Sequence, residues 1–164
     1  MNPTNAEPHT ARAKLAVKKI VVPVAFDETS EESFEVAVGL ARSFGASIHA
    51  VHAVHAVEPP VVSPSVVFGA ETMMIPSEVE RDSRDKLNEI VQRQSALGVP
   101  IESSVRIGDP ARVIEEVVEE QGADLVVIGT HGRRGLARAF LGSVAEKVVR
   151  TSPVAVLTIP HHRT

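Results

Sequence analysis

Gly129-Thr130-His131-Gly132, followed nine residues later by Gly142-Ser143, is the segment whose residue types and spacing suit chemistry. A glycine directly after a strand lets backbone N–H groups approach an anion closely, and a helix starting at Ser143 adds the partial positive charge of its N-terminus. Arg133, Arg134 and Arg138 lie between the two halves with no acidic residue among them, the sign a polyphosphate requires. The same residues also suit a plain turn and a helix cap with solvated arginines. Spacing alone therefore leaves a phosphate cradle and a structural junction both open. His131, inside the loop, either approaches a phosphate or packs.

Two other phosphate motifs are excluded. No glycine is followed at the P-loop spacing by Gly-Lys-Ser/Thr, and Gly-x-Gly-x-x-Gly is absent, which argues against P-loop hydrolases and dinucleotide dehydrogenases. No nucleophile, base and orienting group form a recognisable catalytic set along the chain. Ser143 would lie close enough to a bound phosphate to accept a phosphoryl group, and equally serves as a helix cap. His49, His52 and His55 recur every third residue. On a strand, His49 and His55 share one face and His52 the other, so the three cannot ligate one metal ion and read as histidines at a sheet surface or strand end. His161-His162-Arg163 reads as a frayed end.

The elements that must position the glycine segment follow from hydrophobic period. Lys19 to Val24 is a short, continuously apolar run suited to a strand covered on both faces, with Pro23 near its end. Thr29 with Glu32 forms a capping-box pattern before Phe34, Ala37, Val38 and Ala41, and Gly45 ends that helix. Ser47 to Val54 is a second strand. A proline-bearing loop from Glu58 to Pro76 leads to a helix opened by Ser77 and Glu80 and ended by Gly98 and Pro100. Ile101 to Ile107 alternates at period two, as an edge strand does. Asp109-Pro110 opens a third helix with Val113, Ile114, Val117 and Val118 on one face, and Glu115, Glu116, Glu119 and Glu120 on the wet side. Leu125 to Ile128 is a buried-type strand, Ser143 with Glu146 opens a last helix, and Val154 to Ile159 is a fifth strand. This alternation predicts an α/β fold: one doubly wound parallel sheet of five strands with helices on both faces. Ligands of such sheets bind beyond the carboxyl ends of the strands, where strand order reverses.

Composition bounds the rest. The chain has 164 residues, 23% charged and 43% hydrophobic, which suits one globular domain. It has no cysteine, so disulfides, thiol nucleophiles and thiolate metal sites are excluded. No apolar run approaches the ~18 to 20 residues of a membrane span, and the first ten residues lack a secretion-signal core, so a cytoplasmic location is expected. A net charge of −4, no Trp or Tyr and only five Phe give no pull towards nucleic acid. The expected organisation is a mobile tail over 1–17, a single domain over 18–160 and a short tail over 161–164.

Gly129-x2-Gly132-x9-Gly142-Ser143 resembles the Gly-2x-Gly-9x-Gly-Ser/Thr pattern of the ATP-binding branch of the universal stress protein family. The likeness runs from about Lys18 to Pro160. It includes Ile20-Val21-Val22-Pro23-Val24, Val54-His55-Ala56-Val57-Glu58-Pro59, Gly108-Asp109-Pro110, and Ala123 through Gly132. The resemblance implies strand order 3-2-1-4-5 in this Rossmann-like sheet. It also implies that Gly129, Gly132, Gly142 and Ser143 hold phosphates and ribose, with Thr130, His131, Arg133 and Val144 beside them. Pro23, Val24, Ala25, Ala56 and Ile128 would form the adenine and ribose cleft. The implied ligand is ATP or AMP, with or without Mg2+. Homodimerisation through Val154 to Ile159 is implied as well, and covers an apolar edge that invites pairing. One position departs: Ala25 stands where ATP-binding relatives carry Asp, a loss of ~1 to 3 kcal/mol unless Asp27 or Glu28 substitutes. The expected function is a nucleotide-binding stress-response regulator. The alternatives are a dimeric interaction or chaperone-like module without a nucleotide, and a slow ATPase or self-phosphorylating protein.

Overall fold

The computed structural model describes residues 16–55, 77–130 and 142–160. In chain order the elements are β1 (Lys19–Pro23), α1 (Glu28–Phe44), β2 (Ser47–Val54), α2 (Ser77–Ser95), β3 (Ile101–Ile107), α3 (Pro110–Gln121), β4 (Leu125–Gly129), α4 (Ser143–Thr151) and β5 (Ala155–Ile159). The five strands form one parallel sheet, as the alternation predicts, in the order β3-β2-β1-β4-β5, as the family resemblance implies. The order reverses between β1 and β4.

The central strands are apolar throughout because helices cover both sides. Ile20 and Val22 of β1 pack with Phe34, Ala37, Val38 and Ala41 of α1 and Leu87 and Ile90 of α2. Val21 faces the opposite cluster, with Val113, Ile114, Val117 and Val118 of α3 and Val148 of α4. Phe34 is fully buried. Truncating it to Ala should cost about 3 to 5 kcal/mol, the range for a large core side chain. Val17, just ahead of β1, is buried in the same cluster. The amino end of the β1–β4 junction is closed by Asp124, whose carboxylate accepts the N–H groups of Lys18 and Lys19 at 2.7 and 3.0 Å. Those two bonds hold the Asp124 carboxyl below its ordinary range.

Helix ends follow local rules with two corrections. α3 begins as predicted: the Asp109 side chain accepts the Arg112 N–H at 3.1 Å, Pro110 sits at the first helical position, and Gly122 ends the helix at φ 57°. α1 ends at Gly45, φ 68°. Its start is not the Thr29–Glu32 box. Asp27 is the N-cap, accepting the Ser30 N–H at 2.8 Å while Ser30 Oγ accepts the Asp27 N–H at 3.2 Å. Thr29 lies inside the first turn, buried. The Ser143–Glu146 pattern likewise does not cap α4. Gly142 is the N-cap, with no side-chain cap hydrogen bond, and Ser143 is already helical. Among the described residues no helix is long and apolar enough to cross a membrane.

Candidate functional site

Beyond Pro23 the chain stays tied to β2. The Val24 N–H donates to the Val51 carbonyl at 2.8 Å, and the Val24 carbonyl accepts from His52 Nδ1 at 2.7 Å. Because a carbonyl can only accept, the proton of His52 is assigned to Nδ1. Phe26 then turns into the left-handed region, φ 58°, and lays its ring 4.1 Å from the His52 ring at 32°. A bulky residue at positive φ is uncommon and needs a compensating contact, which the stacked imidazole supplies. Burial lowers the His52 pKa, opposed by the Val24 hydrogen bond. This neutral, stacked histidine fixes the β1–α1 turn, leaving Val24 buried and Ala25 exposed at the carboxyl end of β1.

The β4 side is closed by backbone. Ile128 is buried, Gly129 ends the strand, and the Thr130 N–H donates to the Ile159 carbonyl at 3.0 Å. The Thr130 carbonyl in turn accepts the Gly142 N–H at 2.6 Å, so the chain leaves and re-enters this corner through one hydrogen-bonded clasp. A Cβ on Gly142 would stand 2.9 Å from the Thr130 carbonyl oxygen, and one on Gly129 would stand 2.6 Å from Thr29 Cγ2. Both glycines are thus required by close approach of other chain segments. α4 starts immediately after the clasp. Its first intrahelical bond runs from the Glu146 N–H to the Gly142 carbonyl at 2.8 Å. The N–H groups of Ser143, Val144 and Ala145 therefore have no intrahelical acceptor.

Pro23, Val24, Ala25, Ile128, Gly129, Thr130, Gly142, Ser143 and Val144 accordingly all lie at the carboxyl end of the sheet, around the β1–β4 reversal. Ala56, His131, Gly132 and Arg133 lie outside the described residues. The Universal stress protein family model matches residues 16–160. The chain belongs to that family. A universal stress protein of Methanocaldococcus jannaschii is 34% identical over 144 residues, covering 87% of this chain and 81% of that protein. A universal stress protein from Archaeoglobus fulgidus in complex with dAMP shares the fold, with a TM-score of 0.63 and 21% identity over 89% of this chain and 99% of that one. A universal stress protein in complex with cAMP does so with a TM-score of 0.66 and 24% identity, over 88% and 98%.

In this universal stress protein Asp27 and Asp109, both at the carboxyl end of the sheet, are engaged. Asp27 caps α1 and so does not stand free to replace the carboxylate missing at Ala25. Asp109 is bridged to Lys147 of α4 at 3.0 Å, which joins the start of α3 to the middle of α4 and lowers the Asp109 pKa. Among the described residues no three His, Asp or Glu side chains converge to hold a metal ion. The histidines separate as the strand period requires, but His49 is buried, not at a sheet surface, and its Nε2 lies 2.9 Å from Ser104 Oγ. Sequence reasoning passed over His52 as a positioning residue. Its signal was available: it shares the pleat of Ile48 and Ala50, and so faces the α1 side of the core.

Proposed function

We propose that this universal stress protein binds an adenine nucleotide, ATP or AMP, at the carboxyl ends of β1 and β4, and uses it as a signal. The observation that carries the reading is the open start of α4. A glycine N-cap with no side chain leaves the N–H groups of Ser143, Val144 and Ala145 directed out of the helix, at the end of the sheet where strand order reverses. Relatives of the same fold solved with dAMP and cAMP support an adenine ligand. In this reading Gly142, Ser143 and Val144 meet the phosphates together with Gly129, Thr130, His131, Gly132 and Arg133. Pro23, Val24, Ala25, Ala56 and Ile128 line the base and ribose side. Mg2+ would accompany ATP by neutralising its phosphates. Bound nucleotide would alter how a homodimer, paired through the free β5 edge where Leu157 is exposed, meets its partners.

A second reading is a dimeric interaction module without a ligand. It is favoured by Ala25 and by the packing that already explains Gly129 and Gly142. Mass spectrometry of small molecules released from the purified protein separates the two, together with ATP titration in magnesium of wild type and Gly132→Glu. Co-purified nucleotide, or binding near ~1 μM (about −8 kcal/mol) that the variant loses, upholds the first reading. No binding by either protein at millimolar ATP upholds the second. Phosphate release or phosphoprotein above background would add a slow ATPase or self-phosphorylating activity.

A further inference from the structure

Parallel pairing of β2 with β3 assembles a set of groups that lie far apart in the chain. His49 is opposite Glu102 and Val51 is opposite Ser104, so His49, Glu102 and Ser104 project from one face of the sheet at its β3 edge. Ser104 Oγ lies 2.9 Å from His49 Nε2. His49 Nδ1 faces Glu102 Oε2 at 3.8 Å, within ion-pair reach but beyond a hydrogen bond. The His49 side chain is only 7% exposed, and its Nδ1 has no hydrogen-bond partner. A buried nitrogen left this way is costly if the histidine is only a packing group. The tautomer with the proton on Nδ1 points that proton at the carboxylate and leaves the Nε2 lone pair to accept from the Ser104 hydroxyl.

We propose that Ser104 is an activated nucleophile that accepts the acyl group of small activated esters, with His49 as its general base and Glu102 as the group that orients His49. Ser104 Oγ attacks the ester carbonyl carbon as its proton passes to His49 Nε2. The carbon–oxygen bond to the leaving alcohol then breaks, and the alcohol departs with that proton. Water repeats the sequence at the acyl-serine, releasing the carboxylic acid and restoring the hydroxyl. Protonation states match these roles. Burial keeps the His49 pKa low, against the pull of Glu102, and Lys19, 3.1 Å from the Glu102 carboxylate, keeps that acid ionised. Access is from solvent, since Glu102 is exposed and Ser104 half-buried. A donor for the developing oxyanion is at hand. The bonds from the Ile48 N–H to the Pro100 carbonyl and from the Gly108 N–H to the Val54 carbonyl set the ladder so that even-numbered N–H groups of β3 point to β2. The Val105 N–H, next to the nucleophile, therefore points out of the edge. None of this depends on nucleotide binding at the other site.

The test treats the full-length protein with a fluorophosphonate probe at neutral pH and maps the adduct by peptide mass spectrometry, with p-nitrophenyl acetate hydrolysis followed in parallel. The expected result is one label per chain, on Ser104, lost in Ser104→Ala. It should be retained in Ser103→Ala, whose hydroxyl is on the opposite pleat. His49→Gln should slow labelling at least ~100-fold, the contribution of a positioned general base. Glu102→Gln, at an exposed position, should move the acid limb of the pH–rate profile to lower pH, because the carboxylate no longer raises the His49 pKa. Absence of label on Ser104 in the folded wild type overturns the proposal. So does equal labelling of folded His49→Gln or, if that variant does not fold, an unchanged pH profile in Glu102→Gln.

Discussion

Gly129 and Thr29 are in contact at the distance of backbone against backbone: the Cβ that Gly129 lacks would stand 2.6 Å from Thr29 Cγ2 and 2.9 Å from the Thr29 carbonyl oxygen. The end of β4 is therefore pressed against the first turn of α1. That contact sets the spacing between the two elements that flank the candidate site. A glycine read from sequence as a place for phosphate is first a place for α1.

Gly129→Ala should consequently destabilise the folded protein by about 1 to 3 kcal/mol, the range for overpacking a tight contact. At this chain length that lowers Tm by roughly 2 to 4 °C for each kcal/mol. Adding Thr29→Ser removes Cγ2 but leaves the carbonyl contact, so it should restore part of the loss. Thermal unfolding of the two single variants and the double variant checks this, and an unchanged Tm in Gly129→Ala would refute the contact.

Asp27 and not Thr29 caps α1, so Asp27→Ala should cost about 1 kcal/mol and Asp27→Asn, which keeps an acceptor oxygen, much less. Urea unfolding of the two variants measures the difference. Equal midpoints would return the cap to another residue.

The strands and most helix ends were legible because they obey short-range rules. Ile20, Val21 and Val22 are a run that suits a two-sided sheet position, and Asp109-Pro110 with Gly122 brackets α3 from the sequence alone. The start of α1 was not, because Asp27–Ser30 and Thr29–Glu32 are overlapping patterns of equal local merit. The turn that decides between them is the left-handed Phe26, held by its stack on His52. At the candidate site, the grouping of Val24, Ala25, Gly129 and Ser143 at one end followed from β–α alternation. The steric demand on Gly129 and Gly142 did not, because it comes from Thr29 and Thr130 approaching in space. The Ser104–His49 pair was likewise invisible to a search for spacing, since only β2–β3 register brings together residues 55 positions apart.

Stability should fall in two steps on acidification. Burial lowers the pKa of His49, which faces Glu102, Lys19 and Arg106, and of His52, which faces the Val24 carbonyl and Lys86. Below pH 6.5 the unfolded chain takes up protons that these folded histidines refuse, so stability present above that value is lost as pH drops towards their folded pKa values. Asp109 and Asp124 are held below 3.8, so their contribution is lost only in the more acidic range. Urea midpoints from pH 8 to pH 3 should show a plateau, a decline beginning near 6.5 and a second decline below about 4. His52→Gln should shrink the first decline. A midpoint that stays flat down to pH 5 would contradict the assignment of one buried and one half-buried neutral histidine.

The exposed Ala25 offers the sharpest test of the nucleotide reading, because it changes a ligand contact without disturbing the packing that Gly129 and Gly142 serve. Ala25 follows the buried Val24, whose N–H and carbonyl are both bonded to β2, so the backbone at this position is fixed before any side chain is chosen. Asp27 already commits its Oδ1 to the α1 cap. A carboxylate introduced at position 25 should therefore add one charge-assisted contact to ribose or to phosphate-bound magnesium, worth ~1 to 3 kcal/mol. Ala25→Asp should tighten ATP binding in magnesium about ten- to a hundredfold by calorimetry, with Tm in the absence of ligand nearly unchanged. If wild type binds and Ala25→Asp binds no tighter, the nucleotide sits elsewhere than against the β1–α1 turn. If neither binds, the open start of α4 serves the protein's architecture alone, and the interaction-module reading takes its place.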